Sequence, residues 1–142
     1  MVKCDHRRTL INFGTIIVAF AFCQCCQGQS LDCIAEMTVP RYSLSSRRST
    51  RGGDVAATVS IGVDGRPSSI DLRSDDTNLA EEVQVFLSRH TTYASNCAGK
   101  KVELMFTFRL EGEAEINPPV WVRFRPPNHF IIVSRPRLPI VH

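Results

Sequence analysis

Apolar and polar positions alternate most regularly between Gly53 and Leu110. Val55, Ala57, Val59, Ile61 and Val63 recur at every second residue, with Ala56, Thr58, Ser60 and Gly62 between them. Side chains of a strand alternate between its faces, so this pattern predicts a strand with one buried face. Asp64-Gly65 follows, and its glycine supplies the positive φ that a tight hairpin turn demands. A second strand is predicted from Pro67 to Arg73, with Ile70 and Leu72 inward and Ser69, Asp71 and Arg73 outward. The period then changes. Leu79, Val83, Phe86 and Leu87 stand at i, i+4, i+7 and i+8, which makes one apolar stripe on a helix. Asn78 and Glu81 have the spacing of a capping box, and Asp75 and Asp76 suit the positive end of the helix. The helix is expected to end near His90. A third strand, Val102 to Leu110, turns Val102, Leu104, Phe106, Phe108 and Leu110 inward and Glu103, Met105, Thr107 and Arg109 outward.

A hairpin, a helix and a returning strand define an α+β layer: a three-stranded antiparallel sheet packed on one helix. The third strand can return beside the first or the second, and periodicity alone leaves both open. Beyond Gly112 the pattern predicts a C-terminal hairpin extension: Trp121 to Arg125, a turn at Pro126-Pro127-Asn128, and Phe130 to Ser134. This hairpin either stands apart or caps the sheet. Pro136 and Pro139 predict an extended end. Ahead of the sheet, Ser43 to Gly53 (SLSSRRSTRGG) reads as a loop or linker. The expected organisation is therefore an export segment over 1–28, an irregular lead-in over 29–52, a folded domain over 53–112 and an extension over 113–142.

The N-terminus adds a destination. Lys3, Arg7 and Arg8 precede an uncharged apolar run from Leu10 to Cys23. A run of about 14 residues suits a signal peptide, whereas a membrane span needs about 20. Cys26 and Gly28 place small residues at −3 and −1 for a cut before Gln29. A short uncleaved anchor in the inner membrane is the alternative; a lipoprotein fits less well, because bulky Phe22 precedes Cys23. The expected location is outside the cytoplasm.

The cysteines follow the same division. Cys4, Cys23, Cys25 and Cys26 leave with a cleaved signal. They lie in or beside an apolar segment without convergent histidines, which argues against a metal cluster. Cys33 and Cys97 remain. In an oxidising compartment this pair predicts a disulfide, the alternative being two free thiols. The bond would close a loop of about 65 residues, worth roughly 4 kcal/mol in the chain-entropy model. The net charge of +3 also depends on the N-terminus. Without Lys3, Arg7, Arg8 and Asp5, 14 Lys and Arg face 13 Asp and Glu. That balance implies neither a nucleic-acid partner nor an anionic membrane surface.

The order of these features resembles the C-terminal domain of TonB, the energy transducer of bacteria with two membranes. That family has a Pro-x-Tyr-Pro element, then about eleven residues to a glycine that opens an alternating valine-rich strand ending in Asp-Gly. Here Pro40-Arg41-Tyr42 leads, Gly53 follows at that distance, and Val55 to Val63 runs into Asp64-Gly65. The helix, a short loop and an aromatic-rich last strand come in the family's order, so the likeness covers about Val39 to Glu111. Ser43 stands where the second proline belongs, and His90 to Ser95 replaces the family's Trp-containing element. In place of a long Pro/Lys/Glu linker, about 24 residues lead to the first strand, a reach of at most about 85 Å.

The resemblance implies binding rather than catalysis. It also implies the periplasm of a bacterial cell envelope as the location, or else the outside of the cell. It implies a protein partner, a TonB-dependent outer-membrane receptor, whose short peptide adds a strand to a sheet edge. The edge would be the third strand, with Glu103, Met105, Thr107 and Arg109 tuning the partner, unless the C-terminal hairpin covers it. The alternative is an exported scaffold domain with a self-capped edge and no energy-transducing role. A homodimer is a further arrangement open to such an edge. No catalytic constellation, metal or cofactor is expected: His90 and His129 are isolated in sequence, and Ser88, Ser134 and Asp71 lack triad spacing. Asp75-Asp76 is read as a helix cap, and Arg47, Arg48 and Arg51 as a solvated linker. The Arg-Pro and aromatic residues from Arg123 to Arg137 leave cell-wall contact as a lesser reading.

Overall fold

The structure is a computed structural model that describes residues 31–38 and 40–138. The export segment expected over 1–28, with Cys4, Cys23, Cys25 and Cys26, lies outside these residues, as do Val39 and the end from Pro139 onward. In chain order the elements are β1 (Ile34–Met37), α1 (Leu44–Arg48), β2 (Gly53–Ile61), β3 (Pro67–Arg73), α2 (Thr77–Arg89), β4 (Thr91–Tyr93), β5 (Lys101–Leu110), β6 (Val120–Arg125) and β7 (His129–Ser134).

The class is mixed α+β, with a five-stranded sheet ordered β3-β2-β5-β7-β6 and a two-stranded ribbon of β1 and β4. The expected sheet of three strands is thus too small. β2 pairs antiparallel with β3 and β5, which settles the neighbour of the returning strand. The chain then skips a position. It lays β6 at the outer edge and turns back so that β7 fills the gap, parallel to β5 and antiparallel to β6. The hairpin therefore does not stand apart: of the two expected arrangements it takes the second and caps the edge of β5. Its apolar run explains why. Ile131, Ile132 and Val133 are all buried, as befits an interior strand covered on both sides.

One face of the sheet meets α2. The four stripe residues Leu79, Val83, Phe86 and Leu87 are all buried. Each contributes about 1.5–3 kcal/mol by leaving water. They meet Val55, Ala57, Val59 and Ile61 from β2 and Val102, Leu104, Phe106 and Phe108 from β5 in one core. Phe106 is its centre. Phe86 contacts it edge-on at 6.1 Å, and Phe130 of β7 stacks on it at 5.5 Å. Both arrangements suit the quadrupoles of the rings.

Two local readings change. Val63 is 89% exposed, because the chain leaves the strand after Ile61 and Gly62 N–H bonds back to Arg66 O. The helix cap is Asp76, not Asn78: its carboxylate accepts from Asn78 N and Leu79 N at 2.9 and 3.2 Å. An ionised oxygen at the positive helix end is the stronger acceptor.

The lead-in is no linker. Ser43 caps α1 through Ser46 N, Tyr42 is buried against Phe108 at 5.2 Å, and the Tyr42 hydroxyl donates to Arg51 O. Arg47 is buried as well. Its guanidinium donates to Pro118 O at 2.7 Å and to Ser134 Oγ at 3.4 Å, which ties the lead-in to the C-terminal strands. Cys33 and Cys97 are joined in a disulfide with Cα atoms 5.6 Å apart. It staples β1 to the turn after β4.

Candidate functional site

The four residues expected to meet a partner, Glu103, Met105, Thr107 and Arg109, lie together on the sheet face opposite α2, because alternate residues of β5 share one face. Glu103 and Arg109 are exposed, Met105 is half-buried and Thr107 is buried. The edge they would border is occupied. β2 pairs along one side of β5, and β7 along the other from Met105–His129 to Leu110–Ser134. Over that length both rows of backbone groups are taken, so a partner strand has no place there.

Thr107 has an additional role. Its hydroxyl donates to Asp54 Oδ1 at 2.6 Å and stands 2.8 Å from His129 Nε2. A threonine hydroxyl has one proton, and here it is committed to Asp54. Its oxygen therefore accepts from His129, which carries a proton on Nε2. The order of contacts differs from a hydrolytic triad, in which the imidazole takes the hydroxyl proton and the carboxylate orients the imidazole. Here the carboxylate itself holds the hydroxyl, and the imidazole stands beside the same oxygen. The three residues form a polar chain across β2, β5 and β7, in which His129 reaches Thr107 diagonally from beside its Cα partner Met105.

Two hollows adjoin the sheet and the helix. One, of about 580 Å³, lies between the lead-in and α2 and is lined by Arg41, Glu81, Glu82, Val85 and His90 among others. Both oxygens of Glu82 are engaged there, by Ser46 Oγ at 2.6 Å and Ser43 N at 3.1 Å, so this carboxylate anchors the lead-in. The other hollow, of about 320 Å³, is apolar and lies between Leu31, Ile34, Met37 and Pro40 on one side and Val122 and Phe130 on the other. It borders β6, whose remaining side has no partner strand among the described residues. On the opposite face of β6 stand Trp121, Arg123 and Arg125, all exposed.

Burial governs the ionisation of three groups. It pushes Tyr42 up to about 12, assisted by the nearby Glu82 carboxylate, while Arg47 opposes the shift. Burial also raises Tyr93, and it lowers Arg47, whose charge Arg137 further disfavours. In each case the charged form loses hydration that the protein does not replace. All three groups belong to the packing of the lead-in and the ribbon rather than to an open site.

Among the described residues no helix is long and apolar enough to cross a membrane. Comparison of the chain with family models, with curated proteins and with solved structures found no match in any of the three. Sequence reasoning passes over Asp54, sees His129 only as an isolated histidine, and places Trp121 on a strand without a role. The signal that bears on this site is the unbroken apolar run from Phe130 to Val133. Such a run marks a strand covered on both faces and hence displaces the free edge to β6.

Proposed function

We propose that this chain is an exported scaffold domain of the bacterial cell envelope, built on a TonB C-terminal-like plan, that binds a protein partner without transducing energy. The β2-β3-α2-β5 core supports the TonB-like part of this reading: strand, strand, helix and strand follow in the family's order, and the three strands are antiparallel. One observation carries the scaffold role. The position beside β5, where the resemblance implies a receptor peptide, is filled by the chain's own β7. β7 is a core element and not a lid: Ile132 is fully buried, and Phe130 stacks on Phe106. Displacing it would uncover the core, at about 1.5–3 kcal/mol for each large apolar side chain. The domain's own disulfide accords with an oxidising compartment.

The test is amide hydrogen exchange along Met105–Leu110, the length paired with β7, in the full chain, with and without TonB-box peptides from outer-membrane receptors. These amides should stay protected and unshifted. A peptide that shifts them while releasing β7 would restore an energy-transducing reading. N-terminal sequencing of the protein recovered from cells checks export, with Gln29 as the expected first residue.

A further inference from the structure

We infer that β6 is the edge at which the partner is held, and that the partner presents an extended segment with apolar residues at alternate positions and Asp or Glu between them. This deepens the scaffold reading and rests on it. Among the described residues β6 is the last strand of the sheet. Alternate residues of an antiparallel edge strand turn their N–H and C=O groups away from the sheet. Left to water, such a row is a ready template for pairing with another strand.

The two faces of β6 set the chemistry of that strand. On the α2 side, Val122 borders the 320 Å³ apolar hollow, and Phe124 is 42% exposed although it touches Phe130 at 5.0 Å. A strand added about 4.8 Å outward would direct every second side chain into this hollow and over Phe124. On the other face Trp121, Arg123 and Arg125 follow at i, i+2 and i+4. The intervening side chains of the partner would therefore lie beside two arginines. Carboxylates suit that place, and Trp121, 45% exposed, would be covered.

The opposite edge lacks this combination. Exposed residues of β3 are Ser68, Ser69, Asp71 and Arg73, of mixed charge, and Ile70 and Leu72 already pack against the core. A second copy of this chain is a poorer occupant of β6, because two such edges side by side would bring Arg123 and Arg125 of both copies onto one face. An anionic membrane could meet the arginines but offers no backbone to pair with the edge, which would stay with water.

Trp121 is the only tryptophan in the chain and reports on this edge directly. The experiment titrates the full chain with a synthetic peptide of alternating Val and Glu and follows Trp121 emission. A saturable blue shift is expected, weakening as salt screens the charges. Methylating alternate backbone nitrogens of the peptide, or replacing Glu by Lys, should weaken binding at least about tenfold. The double variant Arg123→Glu/Arg125→Glu should do the same. Equal binding of the methylated and unmethylated peptides overturns the inference, as does no blue shift. So does a preference for phosphatidylglycerol vesicles over the peptide, or dimerisation of the chain that excludes the peptide. Exchange protection along β5 is measured on the same samples; if it persists while the peptide fails to bind, the β6 inference fails and the self-capped reading stands.

Discussion

Reducing the Cys33–Cys97 disulfide should remove a large part of the stability of this domain. The cysteines are 64 residues apart in sequence. In the chain-entropy relation, a loop of that size lowers the entropy of the unfolded chain by about 14 cal/mol/K, or about 4 kcal/mol at 25 °C. A domain of this size is held by only about 5–15 kcal/mol in total. Reduction should therefore lower the melting temperature by about 15–20 °C and the guanidinium midpoint by about 1–2 M. The loss should begin locally. β1 and β4 form a two-stranded ribbon, and such ribbons are marginal in water without further support. Amides of residues 34–37 and 91–93 should then exchange faster than those of β2 and β5 before global unfolding. The assay compares oxidised protein with protein kept in reductant throughout, and with the double variant Cys33→Ala/Cys97→Ala. Coincident denaturation midpoints for the oxidised and reduced forms would refute the argument, because they would show that the closed loop does not constrain the unfolded chain.

Four further outcomes are expected. Gly65 has φ +71°, and a Cβ there would stand 2.7 Å from Tyr93 O, whereas Gly99, at φ +79°, has open space around it. Denaturation should therefore show a cost above about 2 kcal/mol for Gly65→Ala but only about 1 kcal/mol for Gly99→Ala. Arg47→Met leaves the buried Pro118 carbonyl without its donor, and it should destabilise by about 1–3 kcal/mol in urea melts. Thr107→Val keeps the shape and deletes the hydroxyl between Asp54 and His129. It should cost about 1 kcal/mol and should loosen β7 in hydrogen exchange before it loosens β3. Tyr42 is held up to about 12 from 10.0, so the folded state favours its neutral form. Its contribution is complete below about pH 10 and is lost as pH rises toward about 12, and Tyr42→Phe should flatten that part of the stability profile.

The elements most legible in the sequence are those whose side chains repeat with one period against one partner. β3 runs from Pro67 to Arg73 as its alternation predicts, and the stripe of α2 is the set Leu79, Val83, Phe86 and Leu87. The lead-in escapes such a reading because its burial rests on polar contacts that carry no period. Ser46 and Arg47 are buried through hydrogen bonds to Glu82, Pro118 and Ser134, residues that lie 36 to 87 positions away. Val63 misleads for the opposite reason: the alternation continues through it, but the strand does not.

The candidate site is less legible than the fold. Outward residues of β5 share one face, as their alternation predicts, yet the face alone does not reveal whether the neighbouring edge is open. That depends on where a strand some twenty residues further along the chain comes to rest, and no local pattern encodes it.

The local elements follow from the chain alone. Alternation at period two specifies β2, β3 and β5, the i, i+4, i+7 stripe specifies the buried face of α2, and the two cysteines outside the expected export segment point to the staple that the structure contains. Each rests on neighbours within a strand or a few helical turns, or on simple counting. The entry of β7 between β5 and β6, and with it the choice of open edge, emerges only in the assembled sheet. Strand order is a competition among faces of similar hydrophobicity. It is resolved by burial of Ile131, Ile132 and Val133 on both sides, by the Phe106–Phe130 stack and by the Asp54–Thr107–His129 hydrogen bonds, all of which exist only once the sheet has formed.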